Sequence, residues 1–195
     1  MLDAILELDR DLLLYLNHLG QERWDAFWFA MTNKINSIPL YATILFLMGR
    51  GLGKKGVLFL VVVIVTMVTF TDQITNLFKD GFERLRPCAQ QGVVELLRLG
   101  ECSGFGFFSG HSSNSMAAAI FTILMLRSRF KNYVFLMIPW SLMMGYSRIY
   151  IGKHYPLDVL CGWAFGALSG YLFYKIYKSL KPVSYTHLTL PTSNS

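Results

Sequence analysis

Long apolar runs divided by short charged loops set the pattern of this chain. Residues 2–19 place Leu2, Ile5, Leu6, Leu8, Leu12, Leu13 and Leu16 against Asp3, Glu7, Asp9, Arg10 and Asp11. That spacing predicts an amphipathic helix with a polar face, and not a spanning one. Two placements fit it, an interfacial helix near a substrate entrance or a helix covering the bundle, and the second is the simpler. Residues 24–48 read as a first crossing that opens on an aromatic belt (Trp24, Phe27, Trp28, Phe29) and breaks near Asn36, ahead of Pro39. Residues 56–78 begin as nearly pure Val, Leu, Ile and Phe. At ~1.5 Å per residue this helix is long enough to cross the hydrocarbon core. Residues 111–126 predict a third crossing, rich in Ser and Ala that permit close helix approach. Residues 133–151 cross again, with Pro139 expected as a kink. Residues 157–174 form the last crossing, with Gly162, Gly166 and Gly170 at four-residue spacing. The polar stretch 80–109 is a long loop of the kind that often carries function.

The expected architecture is therefore an all-α integral-membrane bundle of about five to six helices, with an N-terminal amphipathic helix. Composition agrees: the 195 residues are 53% hydrophobic with mean hydropathy +0.41, too apolar for an ordinary soluble domain. One compact domain over residues 1–182 is expected. The net charge of +6 falls in short clusters between apolar runs, which fits membrane topology and not a nucleic-acid face. Basic loops at 50–55, 127–131 and 175–181 alternate so as to lie on one side, cytoplasmic by the positive-inside rule. The loops at 79–109 and 148–155 then share the opposite face, and both are basic against the rule. An anionic ligand accounts for those cations. Three cysteines are too few for a disulfide scaffold and lack metal-site spacing. Residues 1–19 carry four acids and no basic leader, so no cleavable signal peptide is expected. Residues 183–195 resemble a translated sequencing-library adapter and are set aside as non-native, His187 with them.

The stretch 146–158, Y-S-R-I-Y-I-G-K-H-Y-P-L-D, holds ionisable groups at the mouth of two apolar helices. Pro156 suits the first position of the second helix, where its missing N–H costs nothing. His154 then stands just ahead of that helix and Asp158 about one turn inside it, within reach of the imidazole. A carboxylate-oriented histidine beside Arg148 suits attack on an anionic centre, although a snorkelling polar loop would read the same way. Two further clusters share this face: Lys79 with Arg86-Pro87, and Ser109-Gly110-His111 before a helix. Singly they pass as a solvated loop, an N-cap and a helix-start histidine. Together they make a phosphate site, with free N–H groups at a helix start, a glycine that admits close approach, and arginines able to grip oxygens in a fork.

These three blocks resemble the signature of the type 2 phosphatidic acid phosphatase family, which shares its core with vanadium haloperoxidases. The pattern K-x6-RP, PSGH, SR-x5-H-x3-D is met by Lys79 to Arg86-Pro87, by Ser109-Gly110-His111, and by Ser147-Arg148 to His154 and Asp158. Phe108 stands where the family has proline, a position that shapes a turn and supplies no reacting group. The resemblance implies that His154 is the nucleophile, Asp158 its orienting carboxylate and His111 the general acid and base. It implies that Lys79, Arg86, Ser109, Gly110 and Arg148 hold the phosphoryl oxygens, with no metal and no other cofactor. The expected partner is a membrane lipid phosphate at the outer face of a bacterial cytoplasmic membrane, undecaprenyl diphosphate before phosphatidylglycerophosphate, phosphatidate or lipid A phosphate. A non-catalytic lipid-phosphate binder is the rival of another class, and haloperoxidase activity fits a membrane-embedded chain poorly. Neither the lipid nor the oligomeric state is fixed by these residues. Cys88 and Cys102 are expected to pair if the outer side is oxidising, closing a 15-residue loop for ~3 kcal/mol.

Overall fold

The computed structural model describes residues 1–99 and 102–180; the adapter-like stretch 183–195 lies outside the described residues. Seven α-helices are present among them: α1 (Leu2–His18), α2 (Asp25–Thr32), α3 (Ile38–Gly49), α4 (Lys54–Phe82), α5 (Gly110–Phe130), α6 (Met137–Tyr150) and α7 (Pro156–Leu180). The expected first crossing is divided between α2 and α3 by a 3-10 turn over Lys34–Ser37. Asn33 caps that turn by accepting the Ile35 N–H at 3.0 Å, so the break falls beside Asn36 as the sequence suggests. Pro139 differs from expectation. It lies in the first turn of α6, after a 3-10 segment over Lys131–Leu136, and so marks a helix start and not a kink.

α4 and α7, 29 and 25 residues long, are apolar enough to cross a membrane, and Lys34–Gly49 is a shorter apolar segment. Only 22% of the most apolar window of α4 is buried within the protein, which leaves its Val, Leu and Phe side chains to face lipid. α5 is less apolar because it spends its positions on Ser and Ala, and the reason is its neighbour. A Cβ added to Gly162 would come 2.6 Å from the Ser109 carbonyl oxygen. At Gly166 it would come 2.2 Å from the Ser113 oxygen, and at Gly170 2.5 Å from the Ala117 oxygen. The glycine stripe of α7 therefore lies backbone to backbone on α5, with no side chain between them. Ser112 and Ser113 are buried in the same seam, while Ser115 is buried against Ser141 of α6, oxygen to oxygen at 2.8 Å.

The ends of the bundle sort by charge. Phe59 of α4 stacks on Tyr177 of α7 at 5.6 Å, and Arg129 at the end of α5 reaches the Leu47 carbonyl of α3. The basic loops 50–55 and 127–131 thus gather at one end, and the loops that carry the three motifs gather at the other. There Cys88 and Cys102 are disulfide-bonded, and the Cys88 N–H donates to the Gly152 carbonyl at 3.1 Å.

α1 packs in an unusual sense. Its buried residues are Asp9, Leu13 and Asn17, one stripe at four-residue spacing. Leu2, Ile5 and Leu8 are 66%, 46% and 68% exposed. The helix covers the bundle with a largely polar stripe and turns most of its leucines outward, an arrangement suited to a lipid interface. Asn17, fully buried, donates to the Ile149 and Tyr150 carbonyls at 3.2 and 2.7 Å and accepts the Arg98 N–H at 3.0 Å.

The α5–α7 seam gives a direct test. Gly166→Val should drive a methyl-bearing carbon into the Ser113 backbone and cost about 1–3 kcal/mol or more, read as a lower unfolding temperature in detergent. Gly81→Ala, where nothing lies within 4 Å of the added carbon, should leave that temperature unchanged or raise it.

Candidate active site

The turn between α6 and α7 is closed by the Arg148 carbonyl, which accepts the N–H groups of Lys153 and His154 at 2.9 and 3.3 Å. Gly152 takes the left-handed conformation (φ +67°) that the turn needs. Pro156 is the first residue of α7, as expected. His154 and Asp158 are then almost wholly inside the protein, 2% and 0% exposed. Nδ1 of His154 lies 3.5 Å from Oδ2 of Asp158, a close approach that is longer than a good hydrogen bond. The carboxylate is otherwise occupied. Oδ1 accepts from Arg84 at 2.7 Å and Oδ2 from the Tyr155 N–H at 3.0 Å. Burial drives the His154 imidazole from 6.5 down to about 4, with Arg148 and Arg86 pushing the same way and Asp158 opposing. At neutral pH it is an uncharged base with a free lone pair.

The second and third blocks meet this turn. The Asp158 carbonyl accepts the Ser109 N–H at 2.9 Å, which joins the start of α7 to the start of α5. Ser109 is the N-cap of α5: its hydroxyl oxygen accepts from the Ser112 N–H at 3.4 Å and from the Ser112 hydroxyl at 3.0 Å. Gly110 opens α5 against α4, where an added Cβ would lie 3.4 Å from Thr75, 3.9 Å from Asp72 Oδ1 and 4.0 Å from Lys79 Nζ. Arg86 spends its Nε on the Phe105 carbonyl at 3.1 Å, which leaves its two terminal nitrogens for a ligand. Arg148, 6% exposed, donates one terminal nitrogen to Thr32, while its Nε is buried without a partner. A buried donor left unmatched costs about 1–3 kcal/mol, a debt that an oxyanion would remove. The charges of Lys79, Arg86, Arg148, His111 and His154 act on one another across this pocket. Phe108, in the family's proline position, is buried against Phe78 and Phe165 at 5.2 and 5.1 Å.

Three contributors carry no signal in the motif spacing. Arg84 bridges two carboxylates, Asp158 and Asp9, each at 2.7 Å, and its guanidinium lies 4.1 Å over the Tyr155 ring. Asp9 also accepts the Leu157 N–H at 2.8 Å, at the free N-terminal end of α7. Burial raises the Asp9 carboxyl above its ordinary value, and Arg84 and Leu157 pull it back. The one hint was the Asp9-Leu13-Asn17 spacing, a polar stripe that asks for a protein partner. Lys34 is the third; its charge bears on both His111 and Lys79. It stands at the rim of an apolar cavity of about 530 Å³ between α3, α4 and α5, which begins at His111 and ends among Leu45, Met48 and Phe121.

Residues 56–182 match the PAP2 superfamily. The chain belongs to that family. Over 185 residues it is 35% identical to a lipid A 4'-phosphatase of Bacteroides thetaiotaomicron, spanning 92% of this chain and 81% of that one. A lipid A 4'-phosphatase of Porphyromonas gingivalis is 31% identical over 90% of this chain and 75% of its own. The fold matches the crystal structure of a transmembrane PAP2-type phosphatidylglycerolphosphate phosphatase from Bacillus subtilis with a TM-score of 0.70, at 22% identity over 92% of this chain and 89% of that one. This PAP2 chain is a membrane-embedded lipid phosphatase.

Two measurements follow from the PAP2 site geometry. Arg84→Ala leaves Asp9 and Asp158 buried with no cation between them, and should cost about 3–5 kcal/mol of stability and most of the activity. Asp9→Asn, which keeps an acceptor for Leu157, should cost less on both counts. In the free protein, NMR titration of His154, assigned by its loss in His154→Asn, should show a midpoint near 4. A midpoint near 6.5 would contradict the buried, uncharged imidazole. Because the unfolded chain takes up this proton first, acidification from 6.5 toward 4 should also destabilise the fold.

Proposed function

We propose that this chain hydrolyses a lipid phosphate in two steps through a phosphohistidine, and that its substrate is a phosphorylated acyl-sugar of the lipid A type. His154, its Nδ1 turned toward Asp158, offers Nε2 to phosphorus. The substrate enters as the phosphate monoanion and passes its proton to His111, which the bound dianion then keeps charged. As the bond to the lipid oxygen breaks, His111 gives that proton to the departing alkoxide. Asp158 balances the positive charge that grows on His154. Water, deprotonated by His111, then attacks the phosphohistidine and releases inorganic phosphate and free His154. Arg86, Arg148, Lys79 and the N–H groups at Gly110 and His111 hold the equatorial oxygens as charge builds.

The observation that carries this reading is the buried His154–Asp158 pair, set beside the unpartnered Nε of Arg148. A binding protein needs the cations but gains nothing from a neutral buried histidine among them. The cavity that begins at His111 supports a lipid chain lying between the helices while its headgroup reaches the pocket. Support for the sugar lipid comes from two relatives matched over most of both chains, both lipid A 4'-phosphatases. Undecaprenyl diphosphate, the lipid favoured on resemblance alone, has narrower support. The Arg and Lys clusters at the opposite end favour a pocket on the outer side of the cytoplasmic membrane, where the Cys88–Cys102 bond would also persist.

The test is phosphate release by purified protein in detergent with EDTA, from lipid A, undecaprenyl diphosphate and phosphatidylglycerophosphate. Wild type should release phosphate, fastest from lipid A. His154→Ala should fall by at least about 10³-fold, as expected for loss of a nucleophile. Tight lipid binding with no release from any substrate would establish the non-catalytic rival.

A further inference from the structure

Asp72 is a carboxylate in the wall of a membrane-crossing helix, ten residues before the end of α4. An ionisable group at such depth is costly and calls for a reason. Its Oδ1 accepts from Asn114 Nδ2 at 2.6 Å, and the Asn114 carbonyl oxygen in turn accepts from the Thr71 hydroxyl. Among the described residues no cation lies within ion-pair distance of it. The carboxylate is therefore held firmly in place without a direct ion pair, although the charge of Lys79 acts on it from nearby.

Its position is telling. Asp72 and Asn114 line the apolar cavity on the same stretch of wall as His111, and Asn114 lies one turn beyond His111 on α5. Below them the lining is mostly aliphatic and aromatic, with the uncharged Ser115 and Thr122 as its polar members. Asp72 Oδ1 also falls 3.9 Å from where a Gly110 Cβ would stand, next to Lys79 Nζ at 4.0 Å. The pair thus forms a polar collar between the phosphate cradle and the part of the cavity fit for acyl chains. Whatever passes through that collar is the portion of the substrate bonded to the phosphate. A carboxylate there repels a second phosphate and attracts hydrogen-bond donors. A polyprenyl chain has no donor to offer; a sugar ring has hydroxyl and amide N–H groups.

We propose that Asp72, fixed by Asn114, is a headgroup subsite that accepts a hydroxyl or amide N–H from the ring bearing the scissile phosphate. It selects sugar-phosphate lipids over polyprenyl phosphates. This inference rests on the lipid phosphatase reading above. The experiment compares an N-acylated glucosamine 4-phosphate carrying free hydroxyls, the same compound O- and N-methylated, and a polyprenyl monophosphate. In wild type, methylation should lower kcat/KM by about 10- to 100-fold, chiefly through KM, as for loss of a charge-assisted hydrogen bond. In Asp72→Asn the preference for free over methylated sugar should collapse toward one. The ratio of sugar to polyprenyl turnover should fall by the same factor. Equal turnover of free and methylated sugar by wild type overturns the subsite, whatever the variant does. So does an equal loss on all three substrates in an Asp72→Asn protein of unchanged unfolding temperature, which would assign Asp72 to Lys79 instead. A wild type inactive on every substrate overturns the phosphatase reading itself, and this inference with it.

Discussion

A single guanidinium stands between two buried carboxylates, and the geometry of the pocket hangs from it. Arg84 holds Asp158 on one side and Asp9 on the other. Buried charges of this kind are tolerated only where geometry is good and the remaining lone pairs are filled, and here the Tyr155 and Leu157 N–H groups fill them. The arrangement also bears on reactivity. A lone Asp158 would draw a proton onto His154 and blunt its lone pair. With its charge shared with Arg84, the carboxylate steadies the imidazole without fully charging it, and burial completes the effect.

Around this clamp the pocket is assembled from loop ends and helix starts. Arg86 and Arg148 are each anchored through one nitrogen, to Phe105 and Thr32, so their remaining donors are aimed before any ligand arrives. Such a concentration of cations is unfavourable in itself. It is offset in part by Asp72 and Asp158, heightened by the positive start of α5, and answered fully only by an anion.

Much of this was legible in the chain. Apolar periodicity located the helices to within a few residues and Pro156 marked the start of α7; the four-residue glycine spacing of α7 was visible, but not that it meets α5. The motif residues Lys79, Arg86, Ser109, Gly110, His111, Arg148, His154 and Asp158 all sit at the motif-bearing end of the bundle. Ser109 proves to spend its hydroxyl on capping α5, leaving its neighbours' N–H groups for a ligand. What the chain hid were partners far apart in sequence: Arg84 with Asp9, and Asp9 with Leu157, have no periodic signature. Nor could pattern alone say which face of α1 meets protein. In water the leucines would turn inward; at a lipid boundary the polar stripe of Asp9 and Asn17 has the better partners inside. Pro139 misled for a simpler reason, since a proline reads alike at a kink and at a helix start.

The bare glycine edge of α7 has one more consequence. Because main chain rests on main chain there, the interval between the start of α5 and the start of α7 is set by covalent geometry and van der Waals radii, not by side chains that can change rotamer. The two histidines are therefore spaced by the least compliant part of the molecule. Any motion that admits a bulky lipid must be borne elsewhere, by the short, interrupted segments α2 and α3, whose hinge at Lys34–Ser37 lies at the cavity rim.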